Sequence, residues 1–159
     1  MEFSIRFASS QQDLDDAFQL RRHVFDVEQK IPRPLYPDTF DGLADHAVAY
    51  DGAGRCIGTG RAFRLDSRTV RIGRQVVAPE ARHHGVGRSV YEALERIARM
   101  RGMKEIVVHA HLHAEPFYLN LGFAREGDVF EEKGVRRARL RKPIQVVRAE
   151  APAPIARAS

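Results

Sequence analysis

Gln75-Val76-Val77-Ala78-Pro79-Glu80-Ala81-Arg82-His83-His84-Gly85-Val86-Gly87-Arg88 decides the fold of this chain. An apolar run ends at Pro79, and a polar loop with two glycines follows. From Val86 the positions Val90, Ala93, Leu94 and Ile97 mark one stripe of an amphipathic helix. The segment therefore reads as strand, loop, helix. Gly85 and Gly87 carry no side chain, so backbone N–H groups there can approach a ligand closely. They fall at a helix N-terminus, where unpaired donors and the dipole favour an anion. Arg82 and Arg88 add positive charge, and His83 and His84 add donors, which together describe a pyrophosphate cradle. An ordinary basic strand-to-helix turn fits the same residues, because a lone Gly-x-Gly is weak evidence. A P-loop is excluded, since no Gly-Lys-Ser/Thr follows. Ser89-Val90-Tyr91 stands where a dinucleotide fingerprint needs its third glycine.

Downstream, the helix closes at Arg101-Gly102, with cations in its last turn. Glu105 to His111 reads as a strand. Ala114 to Leu121 reads as a short helix with Pro116 in its first turn and Gly122 at its end. Phe117 and Leu121, four apart, face the core in this reading. Tyr118 is turned roughly 100° away from Phe117. A tyrosine so placed can protonate a thiolate leaving group, or can simply be a core-edge aromatic. Ala124–Phe130 and Val135–Lys142 form a last hairpin. Upstream, Glu2–Ala8 alternates as a strand, and Ser9-Ser10 caps a helix bearing Leu14, Ala17, Phe18, Arg21 and Phe25. Pro32, Pro34 and Pro37 then impose an irregular stretch. Asp45–Tyr50, Arg55–Leu65 and Thr69–Val77 are three further strands, the first two joined by the turn Asp51-Gly52-Ala53-Gly54. The order gives a mixed sheet covered by helices.

The 159 residues suit one domain, assigned to 1–147, with an alanine- and proline-rich tail over 148–159 expected to be disordered. The chain is 43% hydrophobic and 30% charged, as in a folded globule. No apolar run reaches the ~20 residues of a membrane span. The start, Met1 to Arg6, has no basic segment followed by an apolar one, so a cytoplasmic location is expected. The single cysteine, Cys56, cannot form an internal disulfide and reads as a half-buried strand residue. The net charge of +5 points to an anionic ligand without naming it.

Taken together, Arg82-His83-His84-Gly85-Val86-Gly87 and Phe117-Tyr118-Leu119-Asn120-Leu121-Gly122-Phe123 resemble the two signatures of the GNAT superfamily of N-acetyltransferases. The first matches Gln/Arg-x-x-Gly-x-Gly/Ala and the second Phe-Tyr-x-x-x-Gly-Phe. Arg22–Gln29, Asp41–His46 and Arg71–Val77 are similar to the bacterial ElaA/YjcF-like subgroup. Two positions depart from that subgroup: His111, where glutamine is usual, and Arg137, where histidine is usual. The resemblance implies an α/β (α+β) domain, with a mixed sheet of about seven strands splayed between strands 4 and 5 and about four flanking helices. It implies acetyl-CoA as cosubstrate without a metal. Val76, Val77, Ala78, Arg82, His83, His84, Gly85, Val86, Gly87, Arg88, Phe117 and Tyr118 would line the cofactor site. On the same resemblance an amine would attack directly, and Tyr118 would act as general acid. His111 is the first candidate base, with a ring that titrates near neutrality, and Glu28 the second; His46, Asp41 and Asp45 are weaker. The acceptor is a small-molecule or peptide amine, with the acidic residues hinting at a cationic one, and a homodimer is compatible with the class.

Three other readings compete. His109, His111 and His113 alternate and could share a zinc ion, though no carboxylate lies at ligand spacing. Arg137, Arg139 and Arg141 could face nucleic acid, but no stacking aromatics accompany them; a solvated edge strand explains them as well. A CoA-binding or sensing protein without turnover would keep the fold and lose the chemistry.

Overall fold

In the computed structural model the described residues are 1–28, 30 and 38–146, without the side chains of Val27 and Glu28. The order is β1 (Phe3–Phe7), α1 (Gln11–Arg22), a π-helical turn (His23–Glu28), β2 (Asp45–Asp51), β3 (Cys56–Arg64) and β4 (Thr69–Val77). There follow α2 (Val86–Met100), β5 (Glu105–His111), α3 (Glu115–Asn120), β6 (Ala124–Arg125), β7 (Phe130–Glu132) and β8 (Val135–Pro143). The sheet runs β1-β2-β3-β4-β5-β8-β6, with β7 also on β8. Among the described strands only β4 and β5 pair in parallel, as a strand–helix–strand crossover through α2 requires. The described residues thus hold eight strands and three α-helices. The last hairpin is irregular: its outer arm is split into β6 and β7, both on β8. β8 is consequently an inner strand between β5 and these pieces, not the solvated edge that its arginines suggested.

Local chemistry explains the elements. Ser10 caps α1 by accepting the Asp13 N–H on its hydroxyl at 3.1 Å. Asp51 Oδ1 accepts the N–H groups of Ala53 and Arg55 and so closes the β2–β3 turn. Helix α2 buries Val86, Val90, Leu94 and Ala98 on one face against the sheet. Its closeness depends on β3: a Cβ at Gly58 would fall 2.7 Å from Val86 Cγ1, and one at Gly60 2.8 Å from Gln75 Cγ and 3.0 Å from Leu94 Cδ1. No described helix is long and apolar enough to cross a membrane.

A layer of charge lies inside. Arg21, fully buried, donates to His46 Nδ1 at 3.1 Å and to the Arg74 carbonyl at 3.3 Å, and lies 3.8 Å from Asp41. His46 Nε2 meets the Asp41 carbonyl at 2.9 Å. Arg61 binds both Asp38 and Asp41. Burial pushes Arg21 down to about 9, against the pull of Asp41, so it stays charged at neutral pH. Stripped of one partner, such a network would strand an uncompensated charge. It pins α1 and the turn before β2 to the sheet.

Candidate active site

β4 and β5 pair only from Thr69↔Glu105 to Arg71↔Val107, although both strands run on. The cause is a bulge. Arg74 takes a left-handed φ of 51°, and the β3–β4 register shifts between Thr59 and Arg61. A bulge bends and twists its strand, so β4 turns away from β5 and a V-shaped gap opens. The gap leads to a cleft of about 90 Å³ lined by Gly73, Gln75, His109, His111, Tyr118 and Arg137, among others.

The backbone edge facing this gap is narrower than expected. Ala78 donates its N–H to Ile57 at 2.9 Å and accepts from Ala81 at 2.8 Å, so its N–H is engaged within the fold. By strand alternation Val77 then turns its N–H toward the gap, and Val76 turns away with Ala78. Arg82 donates Nε to the Val77 carbonyl at 3.1 Å and locks the loop onto the strand end.

Past that lock, Pro79–Ala81 makes one 3-10 turn. His83 and Gly85 both adopt left-handed φ, 65° and 80°. Gly85 is the N-cap of α2, and no side chain caps the helix, so its first-turn donors face outward. A Cβ on Gly85 would meet nothing within 4 Å, which leaves open space over those donors. His83 and His84 are exposed beside it. Arg88 is exposed and paired with Glu92 one turn along. These features fit a diphosphate held by main-chain N–H groups.

Tyr118 is the buried member of α3, at 5% exposure, while Phe117 is half-buried. Sequence spacing assigned the core to Phe117. The actual packing puts Tyr118 edge-on to Tyr91, Phe117 and Phe123, with Phe117 beside Gly87. The Tyr118 hydroxyl donates to Gln75 Oε1 at 3.2 Å, and Gln75 Nε2 donates to the Gly87 carbonyl at 3.2 Å. Gln75 therefore ties the tyrosine to the first turn of α2. Nothing in the sequence marked Gln75. Burial raises the Tyr118 pKa against the opposing charge of Arg137, so the hydroxyl keeps its proton.

His111 lines the same cleft. Burial, His113 and Arg137 all lower its pKa, leaving a neutral ring at pH 7. His109 is engaged by Glu132 at 3.2 Å, and the His111 and His113 rings lie 3.9 Å apart. Among the described residues no cluster of three metal-ligating side chains forms. The Glu28 side chain lies outside the described residues. Asp41 and His46 belong to the buried charge layer, and Asp45 pairs with Arg101. None of these three faces the cleft. Burial pushes the Cys56 thiol up to about 11, as befits a structural residue.

Comparison with known proteins matches residues 23–143 to the family described as "Acetyltransferase (GNAT) domain". The uncharacterized N-acetyltransferase YjcF of Bacillus subtilis is 33% identical, over 73% of this chain and 81% of its own. The crystal structure of Escherichia coli ElaA superposes with a TM-score of 0.75 at 26% identity, over 89% of this chain and 98% of that one. A GNAT family acetyltransferase from Elizabethkingia anophelis with acetyl-CoA bound shares the fold, with a TM-score of 0.69 at 14% identity over 89% and 98% of the two chains.

Proposed function

Because the chain belongs to the GNAT acetyltransferase family, we propose that it carries an acetyl group from acetyl-CoA to a primary amine by direct attack, with Tyr118 as general acid. The observation that carries this reading is the open β4–β5 gap with the Tyr118 hydroxyl in its cleft, tied through Gln75 to the first turn of the uncapped α2. The acetyl-CoA bound to the Elizabethkingia relative supports the choice of donor. Bound acetyl-CoA supplies the acetyl group already activated as a thioester. The protein supplies position and protons.

Main-chain donors around Gly85, Val86 and Gly87 hold the diphosphate. The Val77 N–H faces the gap and stabilises negative charge as it develops on the carbonyl oxygen. Tyr118, kept protonated by burial, gives its proton to the departing thiolate. His111, neutral at pH 7, takes the proton from the amine, with Glu28 as the alternative base. No side-chain nucleophile is needed. Residues 1–147 act as one catalytic domain in the cytoplasm, on a small-molecule or peptide amine.

The test is calorimetry with CoA, followed by a thiol-release screen of amines. Acetyl-CoA at a hundred times its Kd stabilises the fold by about 2.7 kcal/mol. Tyr118→Phe lowers turnover by about 100-fold or more while leaving CoA binding nearly intact, because the Gln75–Gly87 bond is kept. Absence of heat with CoA overturns the reading, and equal turnover by Tyr118→Phe removes Tyr118 from it.

A further inference from the structure

The charge around the cleft is one-sided. Arg137 reaches in from β8 and donates Nη1 to the His109 carbonyl at 3.0 Å. Its Nε is buried without a hydrogen-bond partner, and the guanidinium forms no ion pair with any described carboxylate. Its neighbours are matched: Arg71 lies 3.5 Å from Glu132, and Arg74 lies 3.2 Å from Asp38. Asp38 and Asp41 are shared further with Arg61 and Arg21. No described carboxylate lines the cleft itself, where His111 is held toward its neutral form. Glu132 is near enough to act on Arg137, but it is held by Arg71 and His109 and makes no ion pair with it, so this half-buried cation is under-compensated, which is costly. An anion entering the cleft removes that cost.

We infer that the acceptor amine carries a carboxylate and that Arg137 binds it, so the substrate class is small amino acids and not the cationic amines that the chain's acidic residues suggested. Of those acids, Asp41 is spent on Arg21 and Arg61 inside the fold, and Asp45 on Arg101 at the surface. Guanidinium offers five N–H donors in a planar fork that matches a carboxylate. The cleft of about 90 Å³ admits the tip of a small acceptor. Arg137 and Tyr118 line the same cleft, so a carboxylate on Arg137 lies beside the reacting centre. The inference rests on the acetyl-transfer reading above.

The experiment measures kcat/KM for glycine, β-alanine and common L-amino acids against their carboxamides, with acetyl-CoA as donor. The carboxylates are expected to lead by about 10- to 100-fold, the worth of a charge-assisted hydrogen bond. Arg137→Gln erases the lead through KM, and Arg137→Lys, which keeps the charge, restores part of it. Equal or better carboxamides overturn the inference, as does a lead that survives Arg137→Gln. O-phosphoethanolamine preferred over β-alanine reassigns the subsite to phosphate and overturns the carboxylate. Should no acceptor turn over, CoA-saturated protein is titrated with N-acetyl-β-alanine. Binding that is lost in Arg137→Gln, whose melting is checked beside Arg137→Lys, supports the inference. CoA heat without carboxylate binding overturns it alone; no CoA heat overturns the transferase reading beneath it.

Discussion

Replacing Gly60 by alanine tests how the sheet positions the site. Gly60 is buried in β3 beneath α2. Its added Cβ would lie 2.8 Å from Gln75 Cγ, 3.0 Å from Leu94 Cδ1 and 3.1 Å from Val90 Cγ1. Leu94 and Val90 are fully buried and have nowhere to retreat. Overpacking of this kind costs about 1–3 kcal/mol. Alanine recovers about 0.4–1 kcal/mol by restricting the unfolded chain. The net loss is about 1–2 kcal/mol, a fall in Tm of roughly 3–8 °C at this chain length. The functional effect is separate. Gln75 must shift, and it is the link between the Tyr118 hydroxyl and the Gly87 carbonyl. CoA affinity and turnover should therefore drop together. Differential scanning fluorimetry with and without acetyl-CoA reads stability and affinity, and a thiol-release assay reads turnover. Gly52→Ala is the control, since its Cβ meets nothing within 4 Å. If Gly60→Ala melts with the control, the close packing of α2 on β3 is not what holds the helix in place.

Three more substitutions or conditions probe other parts of the argument. Gly85→Ala meets no neighbour but forces a side chain into φ +80°, so it should cost about 1–2 kcal/mol of backbone strain and raise the CoA Kd; unchanged calorimetric affinity would argue against the N-terminal cradle. Asp41→Asn leaves Arg21 without its carboxylate while Arg61 keeps Asp38, for a loss of about 3 kcal/mol in urea unfolding; a midpoint equal to the parent's would show the layer is not a coupled network. His46 is held below the ordinary 6.5 of an imidazole, by burial first and by Arg21 and Arg61 after it, so the unfolded chain binds a proton before the folded one. Stability present above pH 6.5 is then lost as the pH falls below it. The urea midpoint should be lower at about pH 5.5 than at about pH 7.5, and a flat profile would remove the buried neutral histidine.

Much of this was legible along the chain. The strand–loop–helix from Gln75 onward, the cap at Ser10 and the turn at Asp51 declare themselves through local rules: periodicity, side-chain capping and glycine placement. What stayed hidden depends on partners far away in sequence. Arg21 looks like a surface residue until His46, Arg74 and Asp41 fold around it. β8 looks like an edge until β5 pairs with it on one side, from Arg137 to Pro143, and β6 and β7 pair with it on the other. Tyr118, not Phe117, is the buried ring, because three aromatics converge on it from α2, α3 and the turn after α3. The bulge that opens the gap sits at an arginine, a residue with no propensity for left-handed φ, so no composition rule could point to it.

That opening divides the sheet into two leaves joined by a short spine. β1 to β4 make one leaf and β5 to β8 the other, and between them only the stretch from Thr69 to Arg71 is stitched to Glu105 through Val107. Amides on the facing margins of the leaves lack a neighbouring strand and should exchange with deuterium early. A ligand chain lying between them stands in for the absent strand, so its arrival closes the book along its length and slows exchange on both margins at once.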